Sequence, residues 1–296
     1  MNDPQALKTD DGDVTLYPDD TLEDLQRAGF RLIQKKRGFR FGLDSVLLAA
    51  YAAAFYAKVP TRQMLAADLG AGCGAVSLLL AARLPGARVT GLEIDPVSSE
   101  TFARNIRLNR LENRMTAVQG DIRSLAAGQL ASEHLLPGIF DLVVSNPPYE
   151  TFQPARLPDE KPELVSRRRA REETDLDIKD LIRASSRLLR SGGRLVLIHQ
   201  VRRLPDIFCS LPEHGLAAKT MRLIETLPGK PPTTFLMSAT RQGRPGGFIA
   251  EPPLLVCSRP GVWSDEAAAL YGLEPPLSDA ARMCGLIVEN REEHRK

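Results

Sequence analysis

From Met64 onward the chain repeats one pattern: a short apolar run with little alternation, then a longer amphipathic stretch. The runs are 64–69, 88–94, 115–119, 140–145 and 194–199. Strands of this kind are covered on both faces, as they are in a parallel sheet. Helical spacing fills 75–83, 98–109 and 177–189 between them. The last stretch opens on Asp177 as a cap, sets Ile178, Leu181, Ile182, Leu188 and Leu189 on one face, and stops at Gly192. Strand–helix repetition predicts a doubly wound, mostly parallel α/β sheet. Two further runs after Gly215, 220–226 and 234–240, have no helix between them. They predict a closing hairpin, so that the sheet has seven strands with an antiparallel strand near the C-terminal end.

Residues 1–20 are rich in Asp, lack periodicity and are expected to be a mobile tail. In 21–63, residues 30–42 alternate apolar and basic side chains like a short hairpin. Asp44 and Ser45 then offer a cap for a buried, alanine-rich helix ending near Lys58. The α/β unit is expected over 64–258, with 259–296 a C-terminal extension.

Length and composition exclude some classes. A chain of 296 residues, 43% apolar and 26% charged, buries a full core in one domain. Its longest apolar run, Val46 to Ala57, is shorter than the roughly 20 residues a membrane helix needs. The acidic, polar start is not expected to be a secretory signal. Four cysteines without CxxC spacing and four unclustered histidines indicate neither a disulfide framework nor a metal site. A reducing cytoplasm is the expected home. Net charge is only +2, so an anionic partner would be gripped by local clusters. Candidates are Lys35-Lys36-Arg37, Arg167 to Arg171, Arg202-Arg203 and Arg241 to Arg244, with plain solvated faces as the alternative.

The first strand ends in Asp68, followed by Gly70, Gly72 and Gly74 at alternate positions. Such a loop turns sharply and lets backbone approach a ligand at a helix start. The spacing is GxGxG, not the GxGxxG of dinucleotide sites. An acid followed by GxGxG resembles the first motif of class I S-adenosylmethionine-dependent methyltransferases, whose Rossmann-like sheet has the predicted architecture. The ammonium of that cofactor suits Asp68. Glu93 closes the second strand, 93 − 68 = 25 residues on, where an acid grips ribose hydroxyls in this type of fold. Ile94 follows it, and Asp121 and Ile122 follow the third strand, where related enzymes hold the adenine. All of these lie on one edge of the expected sheet.

The fourth strand runs into Asn146-Pro147-Pro148-Tyr149, which resembles the NPPY signature of amino-methyltransferases. The lone pair of an exocyclic amine is delocalised into its ring. Two acceptors, the Asn146 side-chain oxygen and the Pro147 carbonyl, can hold both N–H bonds and free that lone pair toward a methyl donor. Paired prolines fix φ and offer no competing N–H. Tyr149 offers a face on which an extruded base can stack. The bland alternative is a proline-rich turn that ends a strand.

From Arg31 to Gly272 the chain resembles bacterial methyltransferases that modify adenine beside the anticodon of a valine tRNA. The match rests on Arg40 to Ala49, Asp68 to Gly74, Gly91 to Ile94 and Asn146 to Tyr149, then Ala170 to Glu173 and Ser185 to Gly193. It continues through Lys230, Thr234 to Met237, Gly243 to Gly246 and Pro252 to Leu254. The resemblance implies that Asn146, Pro147, Pro148 and Tyr149 handle the base. It implies that Asp44, Asp68, Gly70, Gly72, Glu93, Ile94, Asp121, Ile122 and Asn146 hold S-adenosylmethionine, which leaves as S-adenosylhomocysteine. It makes Lys35, Lys36, Arg37, Arg167, Arg168, Arg169, Arg171, Lys230 and Arg241 candidates for phosphate contacts, with tRNA as the partner. A glutamine methyltransferase acting on release factors, a DNA adenine methyltransferase and a non-catalytic RNA-binding protein are the alternatives. The first is disfavoured by the little room before Met64 for a helical domain, the second by the lack of a separate target-recognition domain. The third has no use for the NPPY motif.

Overall fold

The computed structural model describes residues 5–9, 12–36, 41–147 and 177–273. An eight-stranded sheet organises them. Its parallel part is β5 (Met64–Leu69), β6 (Ala87–Glu93), β7 (Met115–Gln119), β8 (Phe140–Ser145) and β9 (Leu189–Gln200). The order across the sheet is β12-β10-β11-β9-β8-β5-β6-β7. The predicted hairpin is β10 (Leu216–Glu225) and β11 (Thr234–Arg241), and β11 turns inward to pair antiparallel with β9.

The eighth strand, β12 (Ile249–Leu255), joins β10 in parallel at the outer edge, where seven strands were expected. Its run carries Pro252 and Pro253, which read as strand breakers. Proline is tolerated at a sheet edge because no neighbour needs its N–H.

Helices cover both faces. α1 (Leu43–Ala54), α2 (Ala75–Arg83) and α3 (Pro96–Leu108) pack on one, burying Leu47, Leu48, Leu78, Leu79 and Phe102 against Val89, Leu142, Val144 and Ile198. On the other, α4 (Ile122–Ala127), α5 (Ile178–Leu188) and α6 (Leu204–Glu213) bury Leu125, Leu181, Ile182, Ile207 and Leu211 against Val143, Leu195, Leu197, Phe235 and Met237. Burial from both sides is why the strand sequences barely alternate.

Several local readings shift. α1 is capped by the extended backbone of Gly42, with Asp44 in its first turn instead of at the cap. It ends at Ala54, after which tightened turns (Tyr56 N–H to the Ala53 carbonyl, Ala57 N–H to the Ala54 carbonyl) carry the chain on. α5 does take Asp177 as its cap, accepting from the Lys179 N–H. It stops at Leu188 rather than Gly192, because the buried Leu189 already pairs with Phe140 as the start of β9. Gly192, at φ +74°, sits inside that long strand.

Among the described residues the basic–apolar stretch pairs backward. β4 (Arg31–Lys35) forms a hairpin with β3 (Asp20–Asp24). Upstream, β1 (Gln5–Thr9) pairs with β2 (Gly12–Leu16) where no regular structure was expected. Val14 and Leu16 belong with Leu22, Ile33 and Leu108 to a small satellite core that packs this segment on α3.

At the other end, β13 (Cys257–Arg259), β14 (Val262–Trp263) and α7 (Asp265–Tyr271) continue past 258 into the larger core through Trp263, Ala267 and Ala268. Cys257 is disulfide-bonded, against the expectation from scattered cysteines; separation along a chain does not limit approach in space. No helix among the described residues is long and apolar enough to cross a membrane.

Candidate active site

The C-terminal ends of β5, β6, β7 and β8 define one edge of the sheet, and Asp68, the glycine loop, Glu93, Asp121 and Asn146 collect there. Asp68 lies level with Gly91 on β6 and Val144 on β8. The Ser145 hydroxyl donates to the Leu69 carbonyl at 2.6 Å, which ties the exit of β8 to the exit of β5. Asn146 therefore leaves its strand beside the glycine loop. In open α/β sheets this crevice, where neighbouring crossovers go opposite ways, is where ligands sit.

The loop is pinned residue by residue. The N–H groups of Gly70 and Ala71 both donate to the Leu92 carbonyl, at 2.9 and 3.0 Å. The Gly72 N–H donates to Glu93 Oε2 at 2.8 Å, and Glu93 Oε1 accepts from the Asp95 N–H at 2.9 Å. A side chain built on Gly70 or Gly72 would meet nothing within 4 Å, so open space lies in front of both. Gly74 differs: a Cβ there would lie 2.0 Å from the Phe102 ring. The first two glycines leave room for a ligand, and the third leaves room for the core.

Asp68 is 1% exposed, and its Oδ2 accepts from the Ser77 hydroxyl at 2.7 Å. Its other oxygen, Oδ1, is buried without a hydrogen-bond partner. Burial pushes this carboxyl up to about 7, with the nearby Glu93 charge adding to the rise and the Ser77 bond opposing it. A buried carboxylate oxygen left unpaired suits a cationic ligand group.

Asp121 behaves otherwise. Burial raises its pKa, but hydrogen bonds from the Arg123 side chain and N–H outweigh that and hold the carboxyl below its ordinary value. It caps α4 through that same Arg123 N–H. Ile94, 37% exposed at the tip of β6, offers an apolar surface beside it, while Ile122 is buried.

Pro147 is buried and Asn146 half-buried; Pro148 and Tyr149 lie outside the described residues. Asp44 is half-buried in the first turn of α1. The sequence reading missed His199, the last residue but one of β9 on the same edge. Burial first, then the Arg203 and Arg202 charges, lower its pKa to about 4, so the ring is neutral near pH 7. Its Nδ1 accepts the Gln200 N–H at 2.7 Å. A strand-end histidine beside two arginines was the available signal.

The basic candidates separate. Arg37, Arg167, Arg168, Arg169 and Arg171 lie outside the described residues. Lys35 is held in ion pairs with Asp19 and Asp20 at 3.0 and 2.8 Å, and Lys36 donates to the Pro18 carbonyl at 2.7 Å. Lys230 is exposed in the turn between β10 and β11, on the same edge as Asp68 and Asn146. Arg241 ends β11 on the opposite edge and donates to the Ser186 and Gly215 carbonyls at 3.0 and 3.3 Å, a structural clamp. Among the described residues no cluster of three or more His, Cys, Asp or Glu could hold a metal ion.

Comparison with known proteins adds relatives. Residues 36–145 match the TRM5/TYW2 methyltransferase domain. A tRNA1(Val) (adenine(37)-N6)-methyltransferase of Porphyromonas gingivalis is 35% identical over 70% of this chain and 76% of its own length. One from Aeromonas hydrophila is 28% identical over 80% and 90% respectively. Among solved structures, a predicted O-methyltransferase from Agrobacterium tumefaciens superposes with a TM-score of 0.56 at 24% identity, covering 78% of this chain and 97% of that one. TYW2 of P. horikoshii, in complex with MeSAdo, has a TM-score of 0.50 at 17% identity over 78% of this chain and 75% of that one. These two structural likenesses speak for the fold.

Proposed function

This chain belongs to the tRNA1(Val) (adenine(37)-N6)-methyltransferase family, and we propose that it transfers a methyl group from S-adenosylmethionine to N6 of the adenine beside the anticodon of a valine tRNA. The observation that carries the reading is the exit of Asn146 and Pro147 from β8, tied by Ser145 to the end of β5 beside the glycine loop and Asp68. We place the reaction in the cytoplasm, where such a tRNA is found.

The residues fit the cofactor. The unpaired Asp68 Oδ1 suits its ammonium, the open space before Gly70 and Gly72 suits close approach, and Ile94 suits a flat base. Glu93, already steadied by two N–H donors, keeps lone pairs for ribose hydroxyls. Asp121 and Ile122 border the adenine, and Asp44 closes the near side. When bound, S-adenosylmethionine supplies an electrophilic methyl group.

The protein's own task is to ready the amine. The Asn146 side-chain oxygen and the Pro147 carbonyl accept its two N–H bonds, which turns the nitrogen lone pair out of conjugation. Neither group is basic enough to keep a proton, so the proton released on methylation passes to water. Tyr149 stacks on the extruded adenine. Catalysis of this kind is positioning and electrostatics.

The test is transfer of labelled methyl groups to total tRNA, ribosomal RNA, DNA and release factor in parallel, followed by nucleoside analysis. N6-methyladenosine in tRNA is expected. Label in release factor or DNA instead would overturn the acceptor while leaving the cofactor site standing. Asn146→Ala should lower turnover by roughly the 10²- to 10³-fold typical of one lost polar contact to the transition state. Its affinity for S-adenosylhomocysteine, to which Asn146 is one contributor among several, should fall far less than its turnover. A large loss of that affinity would contradict the assigned role.

A further inference from the structure

The glycine loop has one more pin, on the side away from the sheet. Asn105 of α3 is fully buried, and its amide Nδ2 donates both to the Cys73 carbonyl at 2.9 Å and to the Ile33 carbonyl at 2.8 Å. Its Oδ1 accepts the Ile33 N–H at 2.6 Å. Cys73 is the loop residue between Gly72 and Gly74, and Ile33 is the centre of β4. One side chain therefore joins the N-terminal hairpin to the loop that faces the cofactor.

The partners of the loop complete the picture. Its N–H groups at 70, 71 and 72 go to Leu92 and Glu93, both on β6. The carbonyl at 73 goes to Asn105. Removing the β6 partners would disturb the sheet, whereas Asn105 holds the loop from outside it. The same strand β4 also ties down the segment that enters α1, because Gln34 Oε1 accepts the Phe41 N–H at 2.8 Å.

Four residues on, Asn109 makes the matching pair of bonds to Arg31: its Oδ1 accepts the Arg31 N–H at 2.8 Å and its Nδ2 donates to the Arg31 carbonyl at 2.7 Å. Asn109 has no bond to the loop, since its remaining donation runs to the Asn105 carbonyl at 2.8 Å. Helical spacing of four puts both amides on the face that meets the edge of β4. The molecule so contains its own control.

We propose that Asn105 is a positioning residue for the cofactor loop: by holding the Cys73 carbonyl against the N-terminal hairpin, it keeps the loop in its binding conformation. Preorganising a loop raises affinity by removing the ordering cost on binding. The proposal rests on reading this loop as the S-adenosylmethionine site. Asn105 touches neither reactant, so its loss acts on cofactor affinity and leaves the chemical step alone.

The test compares Asn105→Ala with Asn109→Ala in the full chain, by calorimetric titration with S-adenosylhomocysteine and by steady-state kinetics. Expected for Asn105→Ala is a Kd, and a KM for S-adenosylmethionine, raised by about tenfold or more, equivalent to ~1.4 kcal/mol. KM for tRNA and kcat should stay within about twofold, as expected where uniform binding alone is lost. Asn109→Ala should lower the melting temperature and leave Kd within about twofold, as a merely structural tie would. If Asn105→Ala does not fold, Asn105→Ser, which retains a hydroxyl donor, takes its place with a smaller shift in the same direction. Equal Kd values for the two variants, shifted or not, would overturn the proposal. Failure of the unmodified protein to bind S-adenosylhomocysteine would sink the cofactor reading, and this inference with it.

Discussion

At Asp68 a single carboxyl sets stability against its proposed role in holding the cofactor. Its folded pKa, pushed up to about 7 by burial, stands above the ordinary value of 3.8. A carboxyl raised in this way binds its proton more tightly folded than unfolded. Its contribution to stability is therefore fullest at acid pH and is lost as pH rises from about 4 through about 7. Pairing with an ammonium needs the ionised form, so cofactor affinity should move the other way. Kd for S-adenosylhomocysteine is predicted to fall as pH rises to about 7 and to level off above it. Titrations between pH 5.5 and 8.5 check this, and a flat profile would remove Asp68 from the ammonium site. Asp68→Asn should abolish the pH dependence and weaken binding, while melting at pH 8 no lower than the unmodified protein.

On the scale of elements, the N-terminal hairpins are held to α3 by a buried ion pair. Arg104 and Asp20 side chains are 2% and 0% exposed and meet at 2.6 Å. The Arg104 guanidinium also donates to the Thr15 carbonyl and lies 4.8 Å from the centre of the Tyr17 ring. Burial alone would raise the Asp20 pKa, but hydrogen bonds from Arg104 and Lys35 win and hold it below its ordinary value. That stabilisation is present above about pH 4 and is lost as pH falls through the lowered value. Removing one partner of such a pair typically costs about 3–5 kcal/mol, because the other charge is left buried. Arg104→Ala is thus predicted to lower the melting temperature by roughly 10 °C, at the few degrees per kcal/mol usual for a chain of this size. A drop of under about 2 °C in thermal unfolding would show that the hairpins are held by other contacts.

For the whole molecule, the two edges of the sheet have different duties. The edge proposed as the active one carries Asp68, Glu93, Asp121, Asn146 and His199, with Arg202 and Lys230 exposed beside them. The opposite edge is closed by structural pairs: Asp141 with Arg62 and Arg190, and Arg241 with the Ser186 and Gly215 carbonyls. A tRNA laid over the active edge should therefore feel Lys230 and not Arg241. Lys230→Ala is predicted to weaken tRNA binding and to lower the slope of log K against log salt by about 0.7–0.9, one phosphate contact. Arg241→Ala should leave that slope unchanged and lower the melting temperature. The reverse pattern in filter-binding titrations would exchange their roles.

Much of this was legible in the residues themselves. The bounds of β5, β7, β8 and α2 followed from apolar runs and glycines, because strands covered on both faces and a loop needing positive φ leave local signatures. That the glycine loop, the acids at strand ends and Asn146-Pro147 share one edge of the sheet was legible for the same reason: each ends or closely follows a strand of the parallel set. What lay in long-range pairing was not. That β4 looks back to β3, that β12 adds an eighth strand through two prolines, and that Lys35 and Arg241 serve as internal clamps all depend on partners far along the chain. Arg104 and Asn105 read as ordinary polar positions of a helix. Only the packing of the N-terminal hairpin over α3 buried them, and burial is what turned a charge into an anchor and an amide into a tie between strand and loop.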